Sequence, residues 1–528
     1  MGQLKFKDLY LGKIDAYNEF LEFGPEVCSE IFFEYPNLDF GKMVDGSVYY
    51  ICGDKGTGKT MLLKYIEARM QQSENPVFTE FVRFKKDVDE DQRNQIKRAS
   101  LPSQPFEEII EKNIPTDIAI NCVLAWQIYL IKLIVFRLNH TEYGVFDRND
   151  KNWKQLNTLL NAVYNDADDD NITKRILPKV KKGNIELNIG KYGKVDFELE
   201  WTDSDKKAAT FTSIAKKALD LYAKLIPTEN KIYILVDELE LSLKRTKSYE
   251  RDITLIRDLI FAIQYISEIS KEHGFPVYLI AAVRNEVYKN VQAKGMEINK
   301  TIHDFGVQIS WQQHGGDISN HPLLKMLEKR IQYSEIKAGL VPTENVWQEY
   351  FVQTIGNSRI DVRNYILDQT WYKPRDIIRM FTAIQAVRGE KSTADQETFD
   401  TIRKDYSDDS WTEFEESLTA KYSNIEVDGI RLALTGMSIP FELKDFIAQI
   451  DGKADTFVEV ETLKNGSHKP NQILRDLYDL GVIGNYGKVP RFVFKGDRDI
   501  DPMAPLTIHY PLIRFFRASI INYKSSGQ

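Results

Sequence analysis

Twelve residues near the start of the chain constrain it more than any others. The run Tyr49-Tyr50-Ile51-Cys52-Gly53-Asp54-Lys55-Gly56-Thr57-Gly58-Lys59-Thr60 satisfies G-x-x-x-x-G-K-[ST] at every fixed position and follows a short apolar stretch. From Met61 to Met70 the residues keep helical periodicity without a breaker, so the predicted context is strand, loop, helix. Glycines at 53, 56 and 58 let the backbone wrap closely with its N–H groups inward, and a helix beginning near Lys59 adds a positive dipole end. Such a loop is suited to a polyphosphate, held by the backbone of Gly53, Asp54, Lys55, Gly56, Thr57 and Gly58. Lys59 is placed to reach the β- and γ-phosphates, and Thr60 to offer its hydroxyl to Mg²⁺.

A second anchor lies far downstream. Lys231-Ile232-Tyr233-Ile234-Leu235-Val236-Asp237-Glu238-Leu239-Glu240 is a continuous apolar run ending in carboxylates, the pattern of a buried parallel strand. At its carboxyl end Asp237 is the candidate Mg²⁺ residue and Glu238 the candidate general base for water, with Glu240 a bystander. A third run, Pro276 to Val283, ends in Arg284-Asn285-Glu286. In ATPases with an extra strand between the loop strand and the acidic strand, a polar residue at this tip senses the γ-phosphate, the role Arg284 or Asn285 would fill; capping the next helix, or pairing with Glu286, is the alternative. Pro76–Phe84 and Val307–Trp311 complete an expected α/β sandwich whose ligand sits at the strands' carboxyl ends.

Composition narrows the rest. With 528 residues, 42% hydrophobic and 28% charged, the chain suits a globular protein of several domains. A net charge of −8 argues against a molecule whose whole surface serves nucleic acid or an anionic membrane. Cys28, Cys52 and Cys122 are far apart without C-x-x-C spacing, which excludes a disulfide framework or cysteine zinc site and fits a reducing cytoplasm. The N-terminus has no apolar signal core, so secretion is not expected. The most apolar stretch, Ile118 to Leu138, is interrupted by Asn121, Gln127 and Lys132 and reads as a buried helix, not a membrane span.

The chain divides into a lead-in (1–45), a sandwich core (46–320) carrying an insertion (140–210), a helical lid (321–425) and a C-terminal region (426–528). The lead-in is expected to pack as plain core, and the charges from Lys85 to Arg98 to form a solvated helix. In the insertion, Asp166, Asp168 and Asp170 fail the calcium-loop pattern at Asn171 and Leu177, and segments 183–189 and 195–199 read as a β-hairpin. Near the end, helices at 441–450 and 470–480 precede Val482–Gly484 and Arg491–Phe494, which are expected to pair as a wing. Residues 426–528 carry 13 basic and 13 acidic side chains, but 464–528 carries 10 against 5, so contact with DNA and contact with protein both stay open.

In this order, the glycine loop, Val236-Asp237-Glu238, Val283-Arg284-Asn285-Glu286-Val287, Ile309-Ser310-Trp311, Leu327–Ile331 and Lys373-Pro374-Arg375-Asp376-Ile377-Ile378 carry a family resemblance. The chain resembles bacterial P-loop ATPases of the AAA+/STAND kind, akin to origin-recognition and initiator ATPases, over roughly residues 8–390 without the insertion. Family members usually show a more Arg-Ser-Asp-like triplet where this chain has Arg284-Asn285-Glu286. The resemblance implies ATP rather than GTP, a lid arginine at Arg375 that reports nucleotide state, and Arg330 at a position that can face a nucleotide across a subunit boundary; for both arginines a surface salt bridge is the alternative. It also implies links to antiphage defence, with output through a partner effector or self-assembly. The sequence therefore points to a cytoplasmic, Mg²⁺-dependent ATP-hydrolysing switch, or alternatively to an initiator-like protein in which ATP gates DNA binding by a winged helix.

Overall fold

The computed structural model describes residues 4–35, 38–73, 76–88, 90–99, 122–139, 144–164, 180–181, 184–186, 199, 208–239, 246–293, 298–312, 317–419, 421–496, 501 and 504–520. They form two compact units, one of residues 36–55 and 59–309, the other of residues 1–35, 56–58 and 310–528.

The first unit is built on a five-stranded sheet. β1 (Tyr50–Gly53), β2 (Val77–Arg83), β3 (Lys231–Leu239), β4 (Val277–Arg284) and β5 (Gly306–Gln308) lie in the order β2-β3-β4-β1-β5 with every neighbouring pair parallel. Parallel strands need long crossovers, which bury the sheet and explain why β1, β3 and β4 read as apolar runs. Register brings carboxyl ends together: Gly53 stands opposite Arg284, and Arg83 opposite Asp237. β4 lies between the loop strand and the Asp237 strand.

Helices bury these strands. After the glycine loop, α1 (Lys59–Gln71) packs against the sheet. α2 (Val123–Asn139) is buried along nearly its whole length between α3 (Phe211–Ala223) and α4 (Thr246–Glu272), and α5 (Asn285–Ala293) follows β4 directly. Lys132 of α2 is fully buried, its ammonium over the rings of Tyr129 and Tyr164. That contact reconciles a lysine with an apolar helix. Among the described residues no helix is long and apolar enough to cross a membrane.

Two expectations about local charge and pairing change. Arg93 is buried and pairs with the fully buried Asp252 at 2.9 Å, while Arg251 joins Asp252 to Glu90, so the charges after Lys85 are not all on a solvated face. Charge count could not show this, because the partner comes from α4, 159 residues away. The acidic run 166–170 and nearly all of 195–199 lie outside the described residues. Asn184–Glu186 is a strand, flanked antiparallel by Val180–Lys181 and Ala208–Thr210.

The second unit is mainly helical. The N-terminal segment belongs to it: Phe6 and Lys7 donate backbone hydrogen bonds to Lys391 and Gly389, and helix Ala16–Ile31 is capped by Asp15. α6 (Pro322–Lys337) and α7 (Pro374–Arg388) each begin with proline, whose missing N–H is harmless there, and α8 (Gln396–Leu418) starts in a capping box of Asp395 and Thr398. α9 (Asn424–Leu434), α10 (Leu443–Ala454), α11 (Val458–Asn465) and α12 (Pro470–Asp479) precede the antiparallel pair β6 (Ile483–Asn485) and β7 (Leu506–Ile508). β6 thus takes its partner from 506–508, not from Arg491–Phe494. There Val493–Lys495 is a 3₁₀ turn, and Asn485 meets Arg491 in a single bridge. Trp371, Trp411 and Phe414 share one core with Ile430, Phe446, Leu477, Ile483 and Phe516. The helical and C-terminal regions are therefore one packed body.

Candidate active site at the carboxyl ends of the strands

β1 delivers the chain into the glycine loop, and α1 begins at Lys59. Lys59 is only 8% exposed, and its Nζ donates to the carbonyl oxygens of Gly53 (2.9 Å) and Asp54 (2.7 Å). Burial, with Arg284 nearby, pulls its ammonium down to about 8 against the attraction of Asp237, Asp54 and Glu286. A cation so held has little to lose from water and much to gain from an anion.

Asp237 lies close by although 177 residues separate it from Thr60 (237 − 60). The Thr60 hydroxyl and the Glu238 N–H both hydrogen-bond its carboxylate. Burial pushes that carboxyl above the usual range, and these bonds, with Lys59 and Arg284, offset part of the rise. Asp237 is 4% exposed, and its Oδ2 has no hydrogen-bond partner among the described residues. An orphaned buried carboxylate oxygen is costly unless a cation or donor completes it. Together with the Thr60 hydroxyl it fits a magnesium ion, which needs few protein ligands because substrate phosphates and water supply the others. Among the described residues no cluster of three or more His, Cys, Asp or Glu side chains offers a denser metal site.

Glu238 departs from strand geometry. Its φ is +56°, and the β3–β4 register slips between Val236 and Leu239. A left-handed glutamate costs about 1–3 kcal/mol, and such a bulge re-aims a side chain at the end of a strand. Neither feature is readable from residue type.

Beyond β4, Asn285 Nδ2 donates to Asp54 Oδ1 at 2.8 Å, tying the start of α5 to the glycine loop. Arg284 pairs with Glu286 at 3.1 Å while its charge acts on Lys59 and Asp237. Lys59, Thr60, Asp237, Glu238, Arg284, Asn285, Gly53, Asp54 and Lys55 thus gather at one edge of the first unit.

Residues 56–58, the crown of the loop, count with the helical unit. Trp311 Nε1 donates to the Thr57 carbonyl at 2.9 Å, and the Arg375 N–H to that of Gly56 at 3.4 Å. A buried indole N–H needs such a partner, and this was the available clue that Trp311 is more than strand filling. Gly56 has φ +85°, and a Cβ there would lie 3.2 Å from Cβ of Arg375. Gly56→Ala is therefore expected to destabilise the protein by about 1–2 kcal/mol, read as a lower urea midpoint; an unchanged midpoint contradicts it.

Arg375 also reaches Glu413 of α8 through Nη1 at 3.0 Å, and Glu413 binds Arg379 as well. Arg330 lies elsewhere in the same unit. It is 4% exposed and donates through Nη1 to the fully buried Glu19 at 2.9 Å. Its salt bridge is internal rather than on a surface.

Compared with curated proteins, the chain matches none. Residues 321–415 match the FunZ-associated C-terminal helical domain, and with the five-stranded parallel sheet this fits an α/β NTPase-like fold.

Proposed function

We propose that the chain binds ATP with Mg²⁺ and hydrolyses it, using the bound state as a switch. The observation that carries this reading is the meeting of a buried, desolvated Lys59 and a half-buried Thr60 with the buried, half-satisfied carboxylate of Asp237. In this reading the amides of residues 53–58 and Lys59 hold the triphosphate, and Thr60 and Asp237 hold Mg²⁺. When bound, the metal neutralises charge on the phosphate oxygens. Glu238 accepts the proton of the attacking water, and Arg284 or Asn285 senses the γ-phosphate. ATP over GTP rests on the family resemblance, as does output through a partner chain or self-assembly.

The test is phosphate release from Mg-ATP by the full chain and by Glu238→Gln. The variant is expected to bind ATP as tightly as the native chain while turnover falls about 10²–10⁴-fold. Undiminished hydrolysis by the variant removes Glu238 from the scheme, and no release by the native chain leaves a nucleotide-binding scaffold.

One observation favours a DNA-binding second reading. Four helices, α9 to α12, precede the antiparallel β6–β7 pair, which is compatible with a winged-helix reading, and α12 turns Asn471, Gln472 and Arg475 outward beside exposed Lys469. Side chains of this kind read base edges and phosphates. Duplex affinity measured over a salt series with and without ATP tests it: steep salt dependence and a requirement for ATP support gating, and shallow weak binding rules it out.

A further inference from the structure

Asp54 carries the inference, which rests on the nucleotide reading above and deepens it within the sheet unit alone. The phosphate-loop pattern leaves position 54 open, and nothing in it asks for an acid. A carboxylate there opposes the very anion such a loop suits. The strands explain how it is held. The parallel register of β1 and β4 ends with Gly53 opposite Arg284, so Asp54 and Asn285 stand as the next pair beyond the strands, and Asn285 Nδ2 donates to Asp54 Oδ1 at 2.8 Å. Asp54 is exposed, and this charge-assisted bond fixes its carboxylate at the loop rather than leaving it to turn into water. The amide holds the charge without neutralising it.

That charge reaches the phosphate-binding lysine. Lys59 Nζ donates to the backbone carbonyl of Asp54 at 2.7 Å, and the Asp54 carboxylate is among the acids that hold the ammonium up against burial. The other two are engaged elsewhere: Asp237 is buried and bonded by Thr60, and Glu286 pairs with Arg284. A triphosphate without metal carries about twice the negative charge of its Mg²⁺ complex, so a fixed carboxylate repels it about twice as strongly. We infer that Asp54 is a specificity-determining residue: its tethered negative charge turns away a polyphosphate that carries no metal, so that Lys59 and Thr60 receive the Mg²⁺ complex.

The experiment measures the affinity of the full chain for a non-hydrolysable ATP analogue, once with excess Mg²⁺ and once with EDTA. It compares the native chain with Asp54→Asn, which removes the charge and keeps an acceptor for Asn285, and with Asp54→Glu, which keeps the charge. Asp54→Asn is expected to tighten metal-free binding about tenfold and binding of the Mg²⁺ complex about threefold, narrowing the gap between them about threefold. Because the charge is exposed, raising ionic strength from about 0.05 M to about 0.5 M is expected to remove most of this difference from the native chain. Asp54→Glu is expected to stay near the native gap. A merely structural Asp54 would shift both affinities by one factor, insensitive to salt. Should Asp54→Asn not fold, Asp54→Ser is neutral, can accept from Asn285 and carries the same expectation. An unchanged gap in the neutral variant, or an equal narrowing in Asp54→Glu, overturns the inference while leaving nucleotide binding intact. If the native chain binds the analogue in neither form, the underlying reading falls and this inference with it.

Discussion

Lys59→Ala is expected to weaken Mg-ATP binding by about two to three orders of magnitude and to abolish phosphate release. The reason is geometric before it is electrostatic. The ammonium is already desolvated and pointed inward, bonded to the carbonyls of Gly53 and Asp54, so little solvation is lost when an anion arrives. Removing it leaves amide dipoles and a helix N-terminus, which orient a phosphate but supply no full charge. A second expectation follows from the ammonium at about 8. Binding needs the charged form, so affinity is fully expressed below that pH and falls as pH rises through it, by at most about tenfold per unit. Calorimetric titration between pH 6.5 and 9.5 reads both effects. Near-native affinity in Lys59→Ala, with the thermal midpoint unchanged, removes the foundation of the proposed activity.

Arg330→Ala is expected to destabilise the helical unit by about 3–5 kcal/mol, because it strands a carboxylate that is out of water. Glu19 is fully buried and accepts from Arg330 Nη1 (2.9 Å), the Tyr10 hydroxyl (2.9 Å) and the Lys13 N–H (2.8 Å). Without the guanidinium only neutral donors remain. Burial and the Glu19 charge both push the Tyr10 phenol upward, so ionisation of the tyrosine offers no relief. Gly12 completes the arrangement: at φ +97°, a Cβ there would fall 2.1 Å from Arg330 Nη1, so Gly12→Ala is expected to damage the same pair. The double change Glu19→Leu with Arg330→Met removes both charges and is expected to cost much less than Arg330→Ala alone. Urea unfolding of the three variants decides the matter. Equal loss in the single and double variants, or a loss below about 1 kcal/mol in Arg330→Ala, contradicts a buried, coupled pair.

Both arginines given roles by resemblance show where sequence reading stops. The segment Leu327–Ile331 has helical spacing and folds as part of α6, yet the partner of Arg330 is 311 residues away in the N-terminal helix. Nothing local links Glu413 to Arg375 either. They meet because α7 and α8 pack side by side. Arg93 repeats the lesson, a charge on a polar-looking segment that is buried against Asp252 of α4. The partner of β6 differs from the expected one for a related reason. Arg491–Phe494 has strand composition, but Gly484 and Asn485 meet that segment only at one bridge, while 506–508 supplies a full three-residue register.

What the sequence determined by itself was local and covalent: apolar runs buried as β1, β3 and β4, glycines where φ turns positive at 56 and 58, and an unbroken helix after Lys59. These follow from side-chain period and backbone sterics, which act within a few residues. Only the tertiary structure decided that β4 lies between the loop strand and the Asp237 strand, that a bulge turns Glu238, and that Arg330 and Arg93 are enclosed by acids from distant helices. Strand order, bulges and buried ion pairs depend on which surfaces exclude water together, and that is a property of the folded chain as a whole.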